Sequence, residues 1–189
     1  MAKQSWVQTV ASMQAAGTQL INSTTATSIL TGQGKPTLPA QWIERIGDGL
    51  RITSRGQLQN STTACNLTLD IRMGSTVVFT TNAIPMATGA AVGPFPYELK
   101  VDLIARTVGS ATACTFMGIG TLSSYNLIGG GAPTATAYVA VAVPYNAAPV
   151  VGSGFDSTVS NAIDHFATFS AANAGNGITC MQFIVESLN

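Results

Sequence analysis

Apolar and polar residues alternate over several separate segments of this chain, and that period of two limits the possible folds more than any other property of the sequence. In the clearest segment, Cys65 to Met73, every second residue is apolar and the residues between are polar. The same alternation, interrupted at Ser54 and at Ile104, runs through Leu50–Leu58 and Tyr97–Arg106. Successive side chains of a β-strand point to opposite faces, so each segment is predicted to be a half-buried strand.

Shorter strand candidates are separated by turns rich in Gly, Pro, Asn and Ser. They are residues 76–80, 112–123, 137–143, 156–159, 163–169 and 178–188. Seven to nine strands with turns every ten or so residues predict an all-β fold, a single antiparallel β-sandwich that is jelly-roll-like. The strand order stays open. Gly118 and Gly120, inside one candidate strand, indicate a bulge or a close approach of neighbouring chain.

The first 45 residues differ from the rest of the chain, because large apolar groups are few and Gly and Pro interrupt any regular pattern. Residues 1–45 are therefore predicted to form an extended N-terminal arm, and residues 46–189 the sandwich domain. Thr27–Leu30 is the one strand candidate within the arm. Trp6, Val7 and Val10 have the spacing of the start of a helical face.

Charge is scarce. Eight basic and eight acidic residues give a net charge of zero, and only 8% of the chain is charged, against roughly a quarter in typical soluble domains. A neutral chain has no general attraction to nucleic acid or to an anionic membrane, so neither is an expected partner. With 46% hydrophobic residues the chain is not disordered, and its sparse charge is typical of a protein covered by other protein.

Most of the charged residues fall on the outward side of the predicted strands, where opposite charges on neighbouring strands can pair. They are Arg51, Arg55, Asp70, Arg72, Glu98, Lys100, Asp102 and Arg106. A paired or solvated polar face is the interpretation we favour over acid–base catalysis.

No catalytic, metal-binding or cofactor-binding residues are predicted, so the chain is expected not to be an enzyme. His165 is the single histidine, which leaves no metal cluster, and no G-x-S-x-G motif surrounds a serine. Cys65, Cys114 and Cys180 lie among apolar residues and are predicted to be buried thiols. A sugar-binding surface stays open, built from aromatic residues near loops: Tyr97, Tyr125, Tyr138, Tyr145 and Phe155.

The start of the chain lacks the pattern of a secretory signal, and the longest apolar run, residues 137–143, is far shorter than a membrane span. Synthesis in the cytoplasm is the expectation.

The C-terminal sequence resembles a known family. Residues 163–189 contain an apolar strand, a short turn rich in Ala, Ser and Asn, and a closing strand that ends Glu186-Ser187-Leu188-Asn189. This ending resembles that of a family of tailed-bacteriophage virion proteins. The first half of this chain is also similar to that family. It contains runs of small residues, such as Asn22-Ser23-Thr24-Thr25, followed by strands such as residues 50–56 and 67–74.

The resemblance implies a jelly-roll structural protein on the phage head surface, a capsid decoration (cement) protein or head fibre. It also implies a homotrimer that binds the major capsid protein, with no catalytic residues and no cofactor. The N-terminal arm is then the expected anchor. The candidate capsid or subunit contacts are Trp6, Val7, Val10, Ile29, Leu30, Trp42, Ile43 and Ile46.

Other functions stay open at this point. A receptor- or glycan-binding fibre tip would use loops such as residues 89–96, 125–136 or 145–155. A coat around an RNA genome needs a basic arm, and the first forty residues offer only Lys3 and Lys35. On the decoration hypothesis, deleting residues 1–40 is expected to abolish particle binding while leaving a folded β-domain.

Overall fold

The computed structural model describes residues 7–87, 93–125, 127 and 138–188, and it shows the antiparallel β-sandwich that the alternation predicts. The strands are β1 (Gln8–Ser12), β2 (Leu20–Ile21), β3 (Thr27–Ser28), β4 (Thr37–Leu38), β5 (Gly49–Gln59), β6 (Asn66–Met73), β7 (Thr76–Thr80), β8 (Ile84–Pro85), β9 (Phe95–Thr107), β10 (Thr115–Ser124), β11 (Val139–Val143), β12 (Asn161–Phe169) and β13 (Gly177–Ser187). One turn of 3-10 helix, Gly32–Gly34, lies between β3 and β4.

Two sheets form the sandwich. The first has the order β1-β13-β5-β9-β10-β11, with β2 also on β13, and the second has the order β3-β12-β6-β7, with β4 on β12 and β8 on β6. Neighbouring strands are antiparallel throughout. The first and last long strands, β5 and β13, pair with each other, and so do β6 and β12. This nested pairing makes the sandwich jelly-roll-like.

The core lies between the sheets and is filled by the inward residues of the alternating segments. Leu67, Leu69 and Ile71 of β6 are fully buried, and so are Leu99 and Val101 of β9. Each such side chain contributes about 1.5–3 kcal/mol through its removal from water. The three cysteines are free and buried, which confirms their prediction as buried thiols.

The N-terminal segment runs along one side of the sandwich. Its strands β1 and β2 pair with β13 at the edge of the first sheet, and β3 and β4 pair with β12 at the edge of the second. Its apolar side chains enter the core: Met13, Leu20, Ile29, Leu30 and Leu38 are buried. The arm is therefore extended but not separate from the sandwich, and a division at residue 45 stays a prediction.

Two local predictions are wrong. The segment around Val7 and Val10 forms the strand β1 rather than a helical face, because its backbone pairs with β13. Residues 156–159 form a turn rather than a strand piece. There the carboxylate of Asp156 accepts hydrogen bonds from the backbone N and the hydroxyl of Thr158, at 2.8 and 2.6 Å, which is the local competition typical of Asp in turns.

Within the described residues, no helix has the length and apolar character to cross a membrane.

Candidate functional site

The outer face of the first sheet carries the predicted ion pairs. Arg51 of β5 lies opposite Asp102 of β9, and its Nε and Nη2 donate to the two carboxylate oxygens at 2.7 and 2.8 Å. That hydrogen bond raises the pKa of Arg51 above its ordinary value. Arg55 lies opposite Glu98 in the same way and binds its carboxylate. The expected cross-strand pairing is confirmed for these two pairs.

A groove of about 380 Å³ lies on this face, between β9 and β10. It is lined by Glu98, Lys100, Asp102, Ile119, Gly120, Thr121 and Ser123. Gly120, in its lining, marks a close approach of β9 and β10, because a Cβ there would lie 2.2 Å from the carbonyl oxygen of Lys100. The predicted close approach at this glycine is therefore confirmed, whereas the bulge of β10 lies elsewhere, between Thr115 and Phe116.

Aromatic residues adjoin one end of the groove. The hydroxyl of Tyr138 donates to Ser123 Oγ at 2.6 Å, and the Tyr138 side chain is 55% exposed. The ring of Tyr125 meets that of Tyr138 edge-on at 5.3 Å between centroids, and Phe95 meets Tyr125 at 5.6 Å. The groove thus combines carboxylates held by arginines, hydroxyl groups and an exposed aromatic ring.

The other aromatic residues predicted from the sequence as sugar-binding candidates are buried or partly buried. Tyr97 and Phe155 are buried in the core, and Tyr145 is partly buried against it. The candidate loops 89–96 and 125–136 lie largely outside the described residues, while residues 145–155 are described.

A second surface lies on the side of the sandwich opposite the N-terminal segment. We call it the uncharged side and define it as β7, β11 and residues 150–155. β11 pairs with the second half of β10. Val151 bridges to Met117 in the first half of β10, and Phe155 bridges to Cys114 just before it. The backbone of Gly152 donates to Phe116 O at 2.9 Å, and that of Ser153 donates to Val77 O on β7 at 3.3 Å. These bonds join the two sheets along this side.

The uncharged side carries no charge because its residues come from two long stretches of sequence without charged side chains. No Asp, Glu, Lys, Arg or His occurs between Arg72 and Glu98 or between Arg106 and Asp156. Apolar side chains are nevertheless exposed there: Val150 is 70% and Val151 48% exposed. Exposed strand edges normally carry charge or Pro against unwanted pairing, and apolar patches mark contact sites. This side is therefore suited to contact with protein.

The predicted contact residues are divided by the fold. Ile29, Leu30 and Ile43 are buried in the core of their own chain, which leaves no surface of these side chains for another protein while the chain is folded. Val7 and Ile46 are exposed. Val10 and Trp42 are partly buried against the core, and Trp6 lies outside the described residues. Contact with another protein stays a prediction for the exposed members of the set.

The sequence did not identify the uncharged side as a surface, although its charge-free stretches are visible there. Nothing local shows that β7, β11 and residues 150–155 meet, because their contacts join segments far apart in the chain. The groove was missed for a similar reason. No local pattern shows its lining, because that lining depends on the register between β9 and β10.

The titratable groups of the core cannot reach a substrate. His165 is fully buried, its ring stacks on Phe183 at 5.8 Å, and burial lowers its pKa to about 3. Burial raises the pKa of the Tyr97 hydroxyl and of the Cys180 thiol. Both groups lie against Ser54 Oγ, at 3.1 and 3.4 Å. Among the described residues, no three His, Cys, Asp or Glu side chains are grouped closely enough to hold a metal ion.

Comparison with known proteins gives one remote likeness. No protein-family model matches the chain, and no curated protein matches it. Among solved structures, the chain is similar to the CBM2 module of the evolved Dit of Lactobacillus casei BL23 phage J-1. The TM-score is 0.37 and the identity 8%, over 97% of this chain and 96% of that one. A likeness of this degree transfers neither family nor function.

Proposed function

We propose that the chain is a non-enzymatic structural protein of a bacteriophage particle, a decoration protein that sits on the head and binds the major capsid protein. The observation that carries the proposal is the uncharged side, where Val150 and Val151 are exposed and no charged residue occurs. The resemblance of residues 163–189 to tailed-phage virion proteins supports the same assignment.

The physical reason is the cost of removing charge from water. Burying an unpaired charge at an interface costs far more than burying apolar or hydrogen-bonded groups. A side without charge can be covered by another protein at little cost, and a net charge of zero adds no repulsion between copies. Contacts that are weak individually give high avidity when they are repeated over a symmetric particle.

The test is quantitative mass spectrometry of purified phage particles, followed by binding of the purified chain to particles that lack it. We expect the chain in a copy number comparable to that of the major capsid protein. Its absence from particles would overturn the proposal. A copy number far below that of the capsid protein would overturn the decoration role and favour a tail or vertex position.

Two matched variants test which surface binds. Val150→Asp places a charge on the uncharged side, whereas Ile46→Asp changes a side chain of equal exposure, 70%, in the segment before β5. We expect Val150→Asp to reduce binding to particles and Ile46→Asp to leave it unchanged. The reverse result would assign binding to the surface around Ile46, one of the contact residues predicted from the sequence.

A second candidate function is favoured by the groove between β9 and β10. Saccharide sites combine precisely placed polar groups with aromatic surface, and here Asp102, Thr121 and Ser123 lie in the groove beside the exposed ring of Tyr138. We propose this site for the alternative role, a receptor- or glycan-binding module at a fibre tip.

A glycan array with the purified chain tests this second function, followed by calorimetry on any saccharide that binds. Tyr138→Ala and Asp102→Asn should each weaken binding at least tenfold, and Thr9→Ala, on β1 at the far edge of the same sheet, should not. The absence of binding to any saccharide of the array would contradict the second function and leave the first unaffected.

A further inference from the structure

β11 forms the edge of the first sheet on the uncharged side. Its residues Val139 to Val143 pair with Ser124 to Gly120 of β10, and within the described residues β11 pairs with no other strand. The opposite edge of the same sheet is formed by β1. The pairing of β1 with β13 is interrupted by a register shift between Thr9 and Ala11, whereas the pairing of β11 with β10 is regular.

The sequence of β11 is Val-Ala-Val-Ala-Val, which reads the same in both directions. Val141 and Val143 point into the core and are buried, while Ala140 and Ala142 are exposed on the outer face. If a second β11 lies antiparallel beside the first and is centred on Val141, each Val lies opposite a Val and each Ala opposite an Ala. Both strands then keep their valines on the core face and their alanines on the outer face.

We propose that β11 pairs with β11 of a second copy of this chain, antiparallel, about a two-fold axis through Val141. The proposal rests on the proposed function, since it names the partner that covers part of the uncharged side. Ala140 then lies opposite the partner's Ala142, and Val139 opposite the partner's Val143. The first sheets of the two copies become one continuous sheet, with valines inside and alanines outside.

Three observations favour a second copy over an unrelated protein. A two-fold interface brings a surface against itself, and the palindrome of β11 satisfies that requirement residue by residue. The small alanines present no bulk and no charge to the approaching strand. The flanking residues, Tyr138 before and Pro144 after the strand, are uncharged, so no charge lies at either end of the contact; Pro144 has no backbone N–H, and the strand pairing ends at Val143.

The backbone supplies the affinity in such a contact. Addition of a strand to a sheet edge provides main-chain hydrogen bonds, while the side chains on either face decide which partner fits. Natural edge strands avoid this pairing with Lys, Pro or inward-pointing charge, and β11 contains none of these.

A charge-swap series tests the register in the full chain, by light scattering after size-exclusion chromatography. The wild type should have twice the mass of the 19.4 kDa chain. Ala140→Lys combined with Ala142→Lys places like charges opposite each other at two positions, and should weaken dimerisation on the order of tenfold. Ala140→Lys combined with Ala142→Glu places opposite charges there and should restore the dimer.

Cysteine cross-linking provides a second measurement that does not depend on affinity. In Ala140→Cys combined with Ala142→Cys, each new thiol faces the other new thiol of the partner, so oxidation should yield a covalent dimer. Each single variant faces an alanine and is the matched control. The native thiols, Cys65, Cys114 and Cys180, are buried and should contribute little background.

The outcomes separate this proposal from the proposed function. A monomeric wild type, a three-chain mass, or failure of the Lys/Glu variant to recover the dimer would overturn the β11 pairing, and a three-chain mass would favour the trimer that the family resemblance implies. None of these results bears on whether the chain is found in particles. A β11 dimer that is absent from phage particles would instead overturn the proposed function alone.

Discussion

The carboxylate of Asp164 on β12 binds the N-terminal segment at two points. Its Oδ2 lies 2.7 Å from Lys35 Nζ, and its Oδ1 accepts a hydrogen bond from Ser28 Oγ at 2.6 Å. The same Oδ1 accepts the backbone N–H of His165 at 2.8 Å. One largely buried carboxylate therefore joins the second sheet to the segment that covers its edge.

Replacing Asp164 should loosen that edge. Asp164→Ala removes an ion pair and two charge-assisted hydrogen bonds, and we expect a loss of about 1–3 kcal/mol in the free energy of unfolding, measured by urea denaturation. Asp164→Asn keeps an oxygen for Ser28 and should lose less. Glu44→Ala, an exposed carboxylate in the turn before β5, is the control and should be neutral. Equal stability of Asp164→Ala and Glu44→Ala would show that this contact does not hold the segment.

Truncation of the N-terminal segment should have two different results, depending on its length. Deletion of residues 1–12 removes β1, whose described residues are at most partly buried, and should leave a folded chain. Deletion of residues 1–40 also removes Met13, Leu20, Ile29, Leu30 and Leu38 from the core. At about 1.5–3 kcal/mol for each side chain, the loss is comparable to the whole stability of a typical domain.

We therefore expect the longer deletion to unfold, in contrast to the folded β-domain that the sequence alone predicts for it. Near-ultraviolet circular dichroism and the dispersion of amide NMR signals distinguish the two. A folded, monodisperse 41–189 chain would show that the N-terminal segment is dispensable.

Acid should destabilise the fold through His165. The unfolded histidine titrates near 6.5, whereas burial lowers the folded pKa to about 3. Between these values the unfolded state binds the proton and the folded state does not, so stability is complete above pH 6.5 and falls by about 1.4 kcal/mol per pH unit below it. From pH 7 to pH 5 we expect a loss of about 2 kcal/mol from this residue.

His165→Leu should remove this part of the acid sensitivity, because leucine binds no proton. Urea denaturation of both proteins at pH 7 and pH 5 provides the comparison. An identical loss in the two proteins would mean that the His165 ring is accessible to water in the folded state.

Gly120→Ala should force β9 and β10 apart locally and cost stability. The added Cβ would meet the carbonyl oxygen of Lys100, which is backbone and cannot turn away, so we expect a loss of about 1–3 kcal/mol. Gly32→Ala is the matched control, since a Cβ there meets nothing within 4 Å, and it should be neutral or stabilising by less than about 1 kcal/mol. Equal melting temperatures for the two variants would contradict the close approach at Gly120.

The long strands could be predicted from the sequence because their signal is local. In β5 and β9 the alternation itself separates the inward from the outward face, and this placed Arg51 and Asp102 on the outer face before their pairing was visible. The short strands β1, β2 and β4 have no such signal. They exist because the edges of β12 and β13, more than a hundred residues away in the chain, offer backbone partners to them.

The candidate surfaces depend even more on long-range contacts. The sequence shows that charge is absent between Arg106 and Asp156, but long-range contacts such as the hydrogen bond from Ser153 N to Val77 O bring β7 beside that stretch. The burial of Ile29, Leu30 and Ile43 could not be predicted from the neighbouring sequence. An apolar residue in an irregular segment can equally face the core of its own chain or a partner protein.

The most direct test of the central claim, that this is a structural protein assembled through its uncharged side, is a cryo-electron microscopy map of purified phage particles. We predict that the map contains the sandwich on the head surface, with β7, β11 and residues 150–155 covered by other protein. A particle that lacks the sandwich, or that displays this side to solvent, would contradict the claim.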